Sequence, residues 1–166
     1  MNAGPLRAAV VVCSDGVAAG VREDRSGAVA RELLVALGFE VDLVDIVADD
    51  RDAIETTLAR HVSHGVNLVV TSGGTGFGTR DVTPEATLAI VEREAPGLAE
   101  AVRAASPVPF GMLSRGVAGT AGTTVVVNLP GSTGGVRDGL DALAPALVHA
   151  CELAAGVDSG HPHASG

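Results

Sequence analysis

A glycine-rich segment that carries an aspartate is the part of this chain best suited to chemistry. It spans residues 71–85, TSGGTGFGTRDVTPE, and follows an apolar run over residues 66–70 that is typical of a buried strand. It ends in Thr83 and Pro84, a hydroxyl N-cap followed by proline at the first helical position, which predicts a helix start. A strand, a glycine loop and a helix start together form an anion cradle, because glycines let backbone N–H groups turn toward a ligand and the helix dipole favours negative charge.

The acid of this segment indicates what accompanies the anion. Asp81 lies inside the predicted cradle, and a carboxylate beside a phosphate makes sense when a divalent cation lies between them. The alternative is a glycine-rich turn with a capped helix and no ligand. We favour the cradle, because the stretch between strand and helix holds more small and polar residues than a tight connection needs.

Polar or glycine-rich sequence also follows the other predicted strands. The four segments of this kind cover residues 14–15, 49–50, 72–81 and 130–135. Ligands of parallel sheets bind at the carboxyl ends of the strands, so one active site is expected where these segments meet. Two of the residues have a simpler explanation, Asp15 as an ordinary turn residue and Asp50 as a helix N-cap.

The apolar pattern predicts strands that alternate with helices. The strands cover residues 6–13, 41–47, 68–71 and 123–129. The helices cover residues 25–37, 49 or 50 to 60, 84–94, 97–105 and 136–155, with a helical turn or two over 112–118. This order predicts an α/β fold of three layers, with a mostly parallel sheet and helices on both faces. We expect a single domain over residues 1–157 and a disordered tail over residues 158–166.

Charge and residue usage exclude several classes of protein. The chain has 166 residues and a formal net charge of −9, which argues against nucleic-acid and anionic-membrane partners, since both need a basic surface. It contains no lysine, and all 11 cationic side chains are arginines. A P-loop and Schiff-base chemistry are therefore excluded, because each requires a lysine. Any phosphate bound here must be neutralised by backbone amides, arginine or a metal ion.

The cysteines and the hydropathy indicate where the protein works. Cys13 lies on a predicted strand and Cys151 on the apolar face of the last predicted helix, so both are expected to be core thiols. Two such cysteines make no disulfide framework. The apolar run at residues 8–13 is too short for a transmembrane span. We therefore expect a cytoplasmic protein in a reducing compartment.

Taken together, these segments resemble a known family. Residues 72–76, SGGTG, with residues 80–87, RDVTPEAT, resemble the molybdopterin-binding motif of the MogA/MoaB family of molybdenum cofactor biosynthesis proteins, a domain that also occurs in gephyrin-like proteins. Residues 113–119, LSRGVAG, and 128–132, NLPGS, are similar to two further segments of the family, and Ser14-Asp15 to its first-strand motif. The resemblance covers residues 6–156 and implies the molybdopterin-binding-like fold.

The resemblance also implies a reaction. Molybdopterin adenylyltransferases join the terminal phosphate of molybdopterin to the α-phosphate of ATP, release pyrophosphate and need Mg²⁺. It implies that Asp49 and Asp81 are the catalytic residues and the ligands of the magnesium ion. The residues that it implies for substrate binding are Ser14, Asp15, Ser72, Gly73, Gly74, Thr75, Gly76, Arg80, Pro130, Gly131 and Ser132. The alternative within the family is a MoaB-like molybdopterin-binding protein without established catalytic activity. The implied partners are two further copies of the chain in a homotrimer, or more in a hexamer, and a molybdenum-insertion protein.

Some positions depart from the family pattern or leave their role open. Gly16 stands where many members carry a larger and often basic residue, and residues 133–135, TGG, replace a segment that often contains lysine. Arg115 is either a surface or subunit-interface arginine or part of the site. The glycine loop carries one geometric prediction. Gly73, Gly74 and Gly76 should be required for their backbone conformation, with at least one of them at positive φ.

Overall fold

The computed structural model describes residues 4–107 and 109–157, and the predicted tail over 158–166 lies outside the described residues. The six strands are β1 (Arg7–Cys13), β2 (Glu40–Val47), β3 (Leu68–Ser72), β4 (Arg93–Glu94), β5 (Ala118–Ala121) and β6 (Thr124–Leu129). The helices are α1 (Asp15–Ala18), α2 (Ser26–Ala36), α3 (Arg51–Ser63), α4 (Thr83–Ile90), α5 (Pro96–Ala105) and α6 (Thr133–Ala154), with a 3₁₀ helix over Phe110–Leu113.

The strands form one sheet in the order β2-β1-β3-β6-β5-β4. The first four of these are parallel to one another, whereas β5 is antiparallel to β6 and β4 is antiparallel to β5. Ser72 at the end of β3 pairs with Val12 of β1 on one side and with Leu129 of β6 on the other. Because the register brings these strand ends level, the segments that follow them leave the sheet at the same edge.

Helices cover both faces of the sheet, which confirms the predicted three-layer arrangement. Alternate strand residues such as Val10 and Val70 pack on one face with α2, α5 and α6. Their neighbours, such as Val11 and Val69, pack on the other face with α3 and α4. Both faces are built from aliphatic side chains, and the only aromatic residue of either buried cluster within the described part of the chain is Phe39.

The sequence missed three elements and misjudged two helices. The helix predicted over 84–94 ends at Ile90, and the helical turn predicted over 112–118 is a shorter 3₁₀ helix that starts and ends earlier. The residues Arg93–Glu94, which were predicted as helix, form β4, and neither β5 nor α1 was predicted. The β5 sequence, AGTA, has no run of large apolar residues, and a side chain at Gly119 would collide with the Arg93 carbonyl. This strand is thus specified by close backbone pairing with β4, which leaves no periodic signal in the sequence.

The structure also tests the expectations drawn from cysteine and hydropathy. Cys13 and Cys151 are free and buried, as predicted, and they belong to the clusters on opposite faces of the sheet. Burial raises the pKa of each thiol to about 12, so both remain protonated at neutral pH. Within residues 4–107 and 109–157, no helix combines the length and apolar character needed to cross a bilayer.

Candidate active site

A cleft of about 870 Å³ opens at the carboxyl edge of the parallel strands. The ends of β1, β3 and β6, the segment after β2 and the loop before α2 contribute to its walls. Most of the predicted site residues are brought together there, namely Ser14, Asp49, Ser72, Gly73, Gly74, Thr75, Gly76, Asp81, Gly131 and Ser132. Asp15, Arg80 and Pro130 are not among its lining residues.

The glycine loop has the backbone geometry of a ligand cradle. Gly73 has φ of 98° and Gly74 has φ of 67°, which confirms the prediction of a positive φ in this loop. The Gly73 amide donates to the Leu129 carbonyl at 3.1 Å. The amides of Gly74, Thr75 and Gly76 donate no hydrogen bond within the described part of the chain, although all three residues line the cleft. These three N–H groups are therefore available to an anion.

Gly76 differs from its two neighbours, and the prediction is wrong for it in one respect. Its φ is not positive, so backbone conformation does not require glycine there. A β-carbon at this position would instead lie 2.9 Å from Oδ2 of Asp81. Gly76 is small because the Asp81 carboxylate lies against it.

Thr83 does not cap the helix after the loop, contrary to the prediction. It is the first residue of α4, and the N-cap is Val82, which has no capping side chain. The buried Thr83 hydroxyl donates instead to the Gly73 carbonyl at 2.9 Å, and its amide donates to the Gly74 carbonyl at 3.1 Å. Thr83 thus fastens the two positive-φ glycines to the start of α4.

Asp49 is held in place by Asp15. The Asp15 amide donates to Oδ2 of Asp49 at 2.9 Å, and the Asp49 amide donates to Oδ1 of Asp15 at 3.0 Å. The other carboxylate oxygen of Asp49, Oδ1, is buried and has no hydrogen-bond partner among the residues that the structure describes. Burial raises the pKa of Asp49 above its ordinary value, and the carboxylates of Asp15 and Asp81 add to this effect. A buried, unpartnered carboxylate oxygen is what a cation in the cleft would satisfy.

Asp50, and not Asp49, caps the helix that follows β2. Its side chain accepts a hydrogen bond from the Ala53 amide at 2.9 Å and caps α3, as the simpler explanation predicted. Asp49, one residue earlier, faces the cleft. The two adjacent aspartates therefore divide between helix capping and the site.

Arg80 and Asp15 form an ion pair beside the cleft. Nε and Nη2 of Arg80 donate to the two carboxylate oxygens of Asp15 at 2.9 and 3.0 Å. The hydrogen bonds from Arg80 hold the pKa of Asp15 below its ordinary value. Asp15 is thus more than a turn residue, because it orients both Asp49 and Arg80. Arg80 thus contacts a carboxylate, and its predicted role in substrate binding stays a prediction.

Asp81 is the second acid in the cleft. Its Oδ2 accepts a hydrogen bond from the Gly78 amide at 2.9 Å, which leaves lone pairs on both oxygens for other partners. Among the described residues, no group of three or more histidine, cysteine, aspartate or glutamate side chains is placed to hold a metal ion. A magnesium ion here would take Asp49 and Asp81 from the protein and its remaining oxygens from water and phosphate, the usual pattern for this ion.

Buried polar contacts tie the strand ends to each other. Oγ of Ser72 lies 2.9 Å from Oγ of Ser26, at the start of α2, and 3.0 Å from the carbonyl oxygen of Pro130. A β-carbon at Gly131 would lie 3.2 Å from the Cα of Gly73, so the segments after β3 and β6 touch through glycine backbone. Ser132 then caps α6 by accepting a hydrogen bond from the Gly135 amide at 3.0 Å. Ser72 and Pro130 act here as structural supports of the cleft.

Arg115 braces the glycine loop, a role that its sequence position did not reveal. Its Nε donates to the Gly76 carbonyl and its Nη2 to the Asp81 carbonyl, each at 2.7 Å. Its Nη1 pairs with Oε1 of Glu85, and this contact lowers the pKa of Glu85. The Arg115 amide also donates to the Thr75 carbonyl at 2.7 Å. One residue therefore holds the loop at the neighbouring residues Thr75 and Gly76 and again at its acidic end, Asp81.

The loop before α2, together with the first residue of that helix, also lines the cleft and was not predicted as part of the site. Residues 22–26, REDRS, contribute to the wall next to Ser14. A signal for them was present, because they connect the carboxyl end of a strand to the next helix and are densely charged. Such connections border the ligand site of a parallel sheet.

The comparisons with known proteins agree with this architecture. Residues 9–149 match the family model described as "Probable molybdopterin binding domain". The chain is 39% identical over 157 residues to the "Molybdenum cofactor biosynthesis bifunctional protein" of Chlorobaculum tepidum, which covers 93% of this chain and 50% of that protein. It is 39% identical over 155 residues to the "Molybdopterin adenylyltransferase" of Helicobacter pylori strain J99, which covers 89% of this chain and 86% of that protein. The crystal structure of MoaB from Thermus thermophilus has a TM-score of 0.87 and 41% identity, covering 91% of this chain and 97% of that one.

An α/β protein with a glycine cradle and two acids at the carboxyl edge of its sheet is thus the class that fold and site define. The chain belongs to the molybdopterin-binding domain family of molybdenum cofactor biosynthesis proteins. The match over residues 9–149 contains both cleft aspartates, the whole glycine loop and the segment after β6. The chain spans half the length of the bifunctional relative from C. tepidum.

Proposed function

We propose that this chain is a molybdopterin adenylyltransferase, which transfers the adenylyl group of ATP to the terminal phosphate of molybdopterin. The observation that carries the proposal is that two aspartates and three loop amides without a hydrogen-bond acceptor in the described part of the chain lie in the same cleft. The relative from H. pylori, which bears that name and is covered almost throughout, supports it. Nucleotidyl transfer needs little covalent help from a protein and depends on positioning and on charge neutralisation, which this cleft is built to give.

The proposed reaction exchanges one phosphorus–oxygen bond for another. An oxygen of the molybdopterin phosphate attacks the α-phosphorus of ATP, and the bond from that phosphorus to the bridging oxygen of the β-phosphate breaks. Pyrophosphate carries away the electron pair of that bond. The amides of Gly74, Thr75 and Gly76 donate hydrogen bonds to phosphate oxygens and hold the attacking group. Arg115 keeps these amides and Asp81 in register through its contacts with the loop carbonyls.

Magnesium is part of the proposal, and the residues present fit it. Oδ1 of Asp49 is buried without a partner in the described part of the chain, and Asp81 shares the cleft, so two hard oxygen ligands face the same space. When bound, a magnesium ion neutralises negative charge on the phosphate oxygens. Without a cation, the burial of Asp49 beside Asp15 and Asp81 is unfavourable, which its raised pKa reflects.

The second candidate is a molybdopterin-binding protein without catalytic activity. The close structural similarity to MoaB supports it. It also fits the absence of a basic side chain at position 16 and of a lysine in residues 133–135, where many members of the family carry one. The two aspartates favour the enzyme, since binding a phosphate alone gains nothing from added carboxylates.

A magnesium-dependent assay of pyrophosphate release from ATP, with molybdopterin as acceptor, separates the two candidates. We expect turnover by the wild type, and loss of turnover with retained molybdopterin binding in Asp81→Asn. The matched control is Asp42→Asn, which removes the same charge from an exposed side chain of β2 outside the cleft. Molybdopterin binding by the wild type without any turnover would select the binding protein. Near-normal turnover by Asp81→Asn would remove the metal-ligand role of that residue.

The assembly, the partner and the location are proposed along with the activity. A homotrimer, or a hexamer built from it, is supported by the large apolar side chains that the chain leaves exposed near one another, Phe110, Met112 and Leu113. A molybdenum-insertion protein is the proposed receiver of the product, and the existence of bifunctional relatives is consistent with such a pairing. A cytoplasmic location is supported by the two free cysteines.

A further inference from the structure

The cleft is acidic, although both of its proposed substrates are anions. Four carboxylates line it, namely the two cleft aspartates together with Glu23 and Asp24 of the loop before α2. The arginines in its lining are Arg22 and Arg25. With no lysine in the chain, any cationic contact with a substrate phosphate must come from an arginine or from a bound metal ion.

Most of the arginines near the cleft are already engaged. Arg25 pairs with Glu23 at 3.5 Å, Arg80 is bound to Asp15 through both carboxylate oxygens, and Arg115 is bound to the loop carbonyls and to Glu85. Arg22 is different. Within residues 4–107 and 109–157, its guanidinium has no carboxylate or carbonyl partner, and its one hydrogen bond is from Nη2 to Oγ of Ser14 at 3.5 Å.

The absence of a side chain at Gly16 determines where Arg22 lies. The backbone amides of Val21 and Arg22 both donate to the Gly16 carbonyl, at 3.0 and 3.1 Å, so the chain turns back over this residue. Nε of Arg22 lies 3.4 Å from the point where a β-carbon of residue 16 would be. The guanidinium therefore lies over Gly16 and beside Ser14, at the wall of the cleft. A large side chain at position 16 would take that space.

We infer that Arg22 binds a phosphate group of a substrate, either ATP or molybdopterin. The inference rests on the proposed adenylyl transfer, because that reaction brings two phosphate-bearing substrates into this cleft. A guanidinium without an acidic partner presents its donors in a fork that matches two phosphate oxygens. Its backbone is fixed by the Gly16 carbonyl, so little of the chain has to be ordered when the phosphate binds.

Binding measurements on the full chain test this role without requiring turnover. The first probe is α,β-methylene-ATP with Mg²⁺, whose binding is measured by calorimetry. The second is molybdopterin, whose binding is measured by pterin fluorescence. In Arg22→Ala we expect the dissociation constant for at least one of them to rise by about tenfold or more, as for loss of a hydrogen bond to a charged group. Arg22→Lys should recover part of this affinity, because it keeps the charge but not the fork. The ligand that is affected identifies the phosphate.

Two further variants separate a binding role from a structural one. Arg7→Ala removes the same charge at the opposite end of β1, where the arginine pairs with exposed Asp42, and it should bind both probes like the wild type. Gly16→Leu should displace the Arg22 guanidinium and weaken the same ligand as Arg22→Ala. The variant that combines Gly16→Leu with Arg22→Ala should then lose no more affinity than either change alone, because both changes remove the same contact.

The outcomes distinguish this inference from the proposed function. If the wild type binds both probes and Arg22→Ala binds each within about twofold of it, the role of Arg22 is overturned and the adenylyltransferase proposal stands. Equal losses in Arg22→Ala and Arg7→Ala would also overturn it, because they would indicate only a change in net charge. If the wild type binds neither probe, the proposed function fails and this inference fails with it.

Discussion

Replacing Arg115 with methionine should both destabilise the protein and slow its reaction. Methionine keeps an apolar stem of similar length but removes the two hydrogen bonds to the carbonyls of Gly76 and Asp81 and the ion pair with Glu85. Hydrogen bonds from charged groups contribute about 1.5–3 kcal/mol each where they are buried. The Arg115 side chain is 34% exposed and that of Glu85 43%, so water replaces part of what is lost and the ion pair adds little.

The expected loss in the free energy of unfolding is therefore about 2–4 kcal/mol. For a domain of this size, that corresponds to a fall in Tm of roughly 5–15 °C, measurable by circular dichroism or calorimetry. The loop would still be held at Thr75, whose carbonyl accepts from the backbone amide of residue 115. Its acidic end would be free to shift, and a displacement of the order of 1 Å at Asp81 should lower kcat by about 100-fold.

A second substitution, at Glu85, separates the contribution of the ion pair from that of the hydrogen bonds to the loop. Glu85→Gln removes only the charge of the partner, and Arg115→Met combined with Glu85→Gln should recover part of the lost stability but little of the lost kcat. The lowered pKa of Glu85 means that its ion pair stabilises the fold fully above pH 4.5 and ceases to do so as the pH falls through the lower folded value. The stability difference between wild type and Glu85→Gln should vanish over that interval. A Tm of Arg115→Met within about 1 °C of the wild type, with unchanged kcat, would refute the bracing role.

Three other outcomes are expected. Asp49→Asn should lower turnover by orders of magnitude and yet stabilise the fold at neutral pH, because the raised pKa of Asp49 makes wild-type stability fall as the pH rises from 3.8 through the folded value. Urea unfolding at pH 3 and pH 7 measures this difference, and a variant that is less stable than the wild type at both pH values would make Asp49 structural. Gly74→Val should abolish molybdopterin binding measured by pterin fluorescence, since a β-carbon there would collide with the Thr83 hydroxyl and lie 3.2 Å from Oδ1 of Asp49; normal binding would show that the cradle is not the phosphate site. Sedimentation at micromolar concentration should give a trimer or a multiple of it, and a clean monomer would contradict the proposed assembly.

The central part of the fold could be predicted because its signals are local. Three of the four parallel strands, β1, β3 and β6, contain runs of buried aliphatic residues, such as Val125, Val126 and Val127 in β6, and glycine or proline marks several of their ends. The meeting of the polar segments then follows from the direction of parallel strands. By contrast, β4 and β5 depend on pairing of a two-residue strand with a four-residue strand, and neither carries a periodic apolar pattern.

Site residues could be predicted where they directly follow the carboxyl end of a strand. By local pattern either Asp49 or Asp50 can cap a helix, and the hydrogen bond from the Ala53 amide assigns the cap to Asp50, as its simpler explanation predicted. Arg115 lies 39 residues from Gly76, and no spacing rule connects them. Arg22 is informative only once its place over Gly16 is known, together with its lack of an acidic partner within residues 4–107 and 109–157. These relations depend on tertiary contacts and not on local pattern.

The order of the strands in the sheet has a consequence for synthesis on the ribosome. β3 lies at the centre of the site and pairs with β1 on one side, but its other neighbour, β6, is encoded about 50 residues later. Until β6 and α6 have left the ribosome, the nascent chain exposes one buried edge of β3 together with the apolar face that α6 covers. An unpaired apolar edge of this kind invites aggregation, so the emerging chain is a natural client for chaperones that bind extended apolar segments. The cleft itself cannot exist before that point, because Gly131 and Ser132 are among the last of its residues to be made.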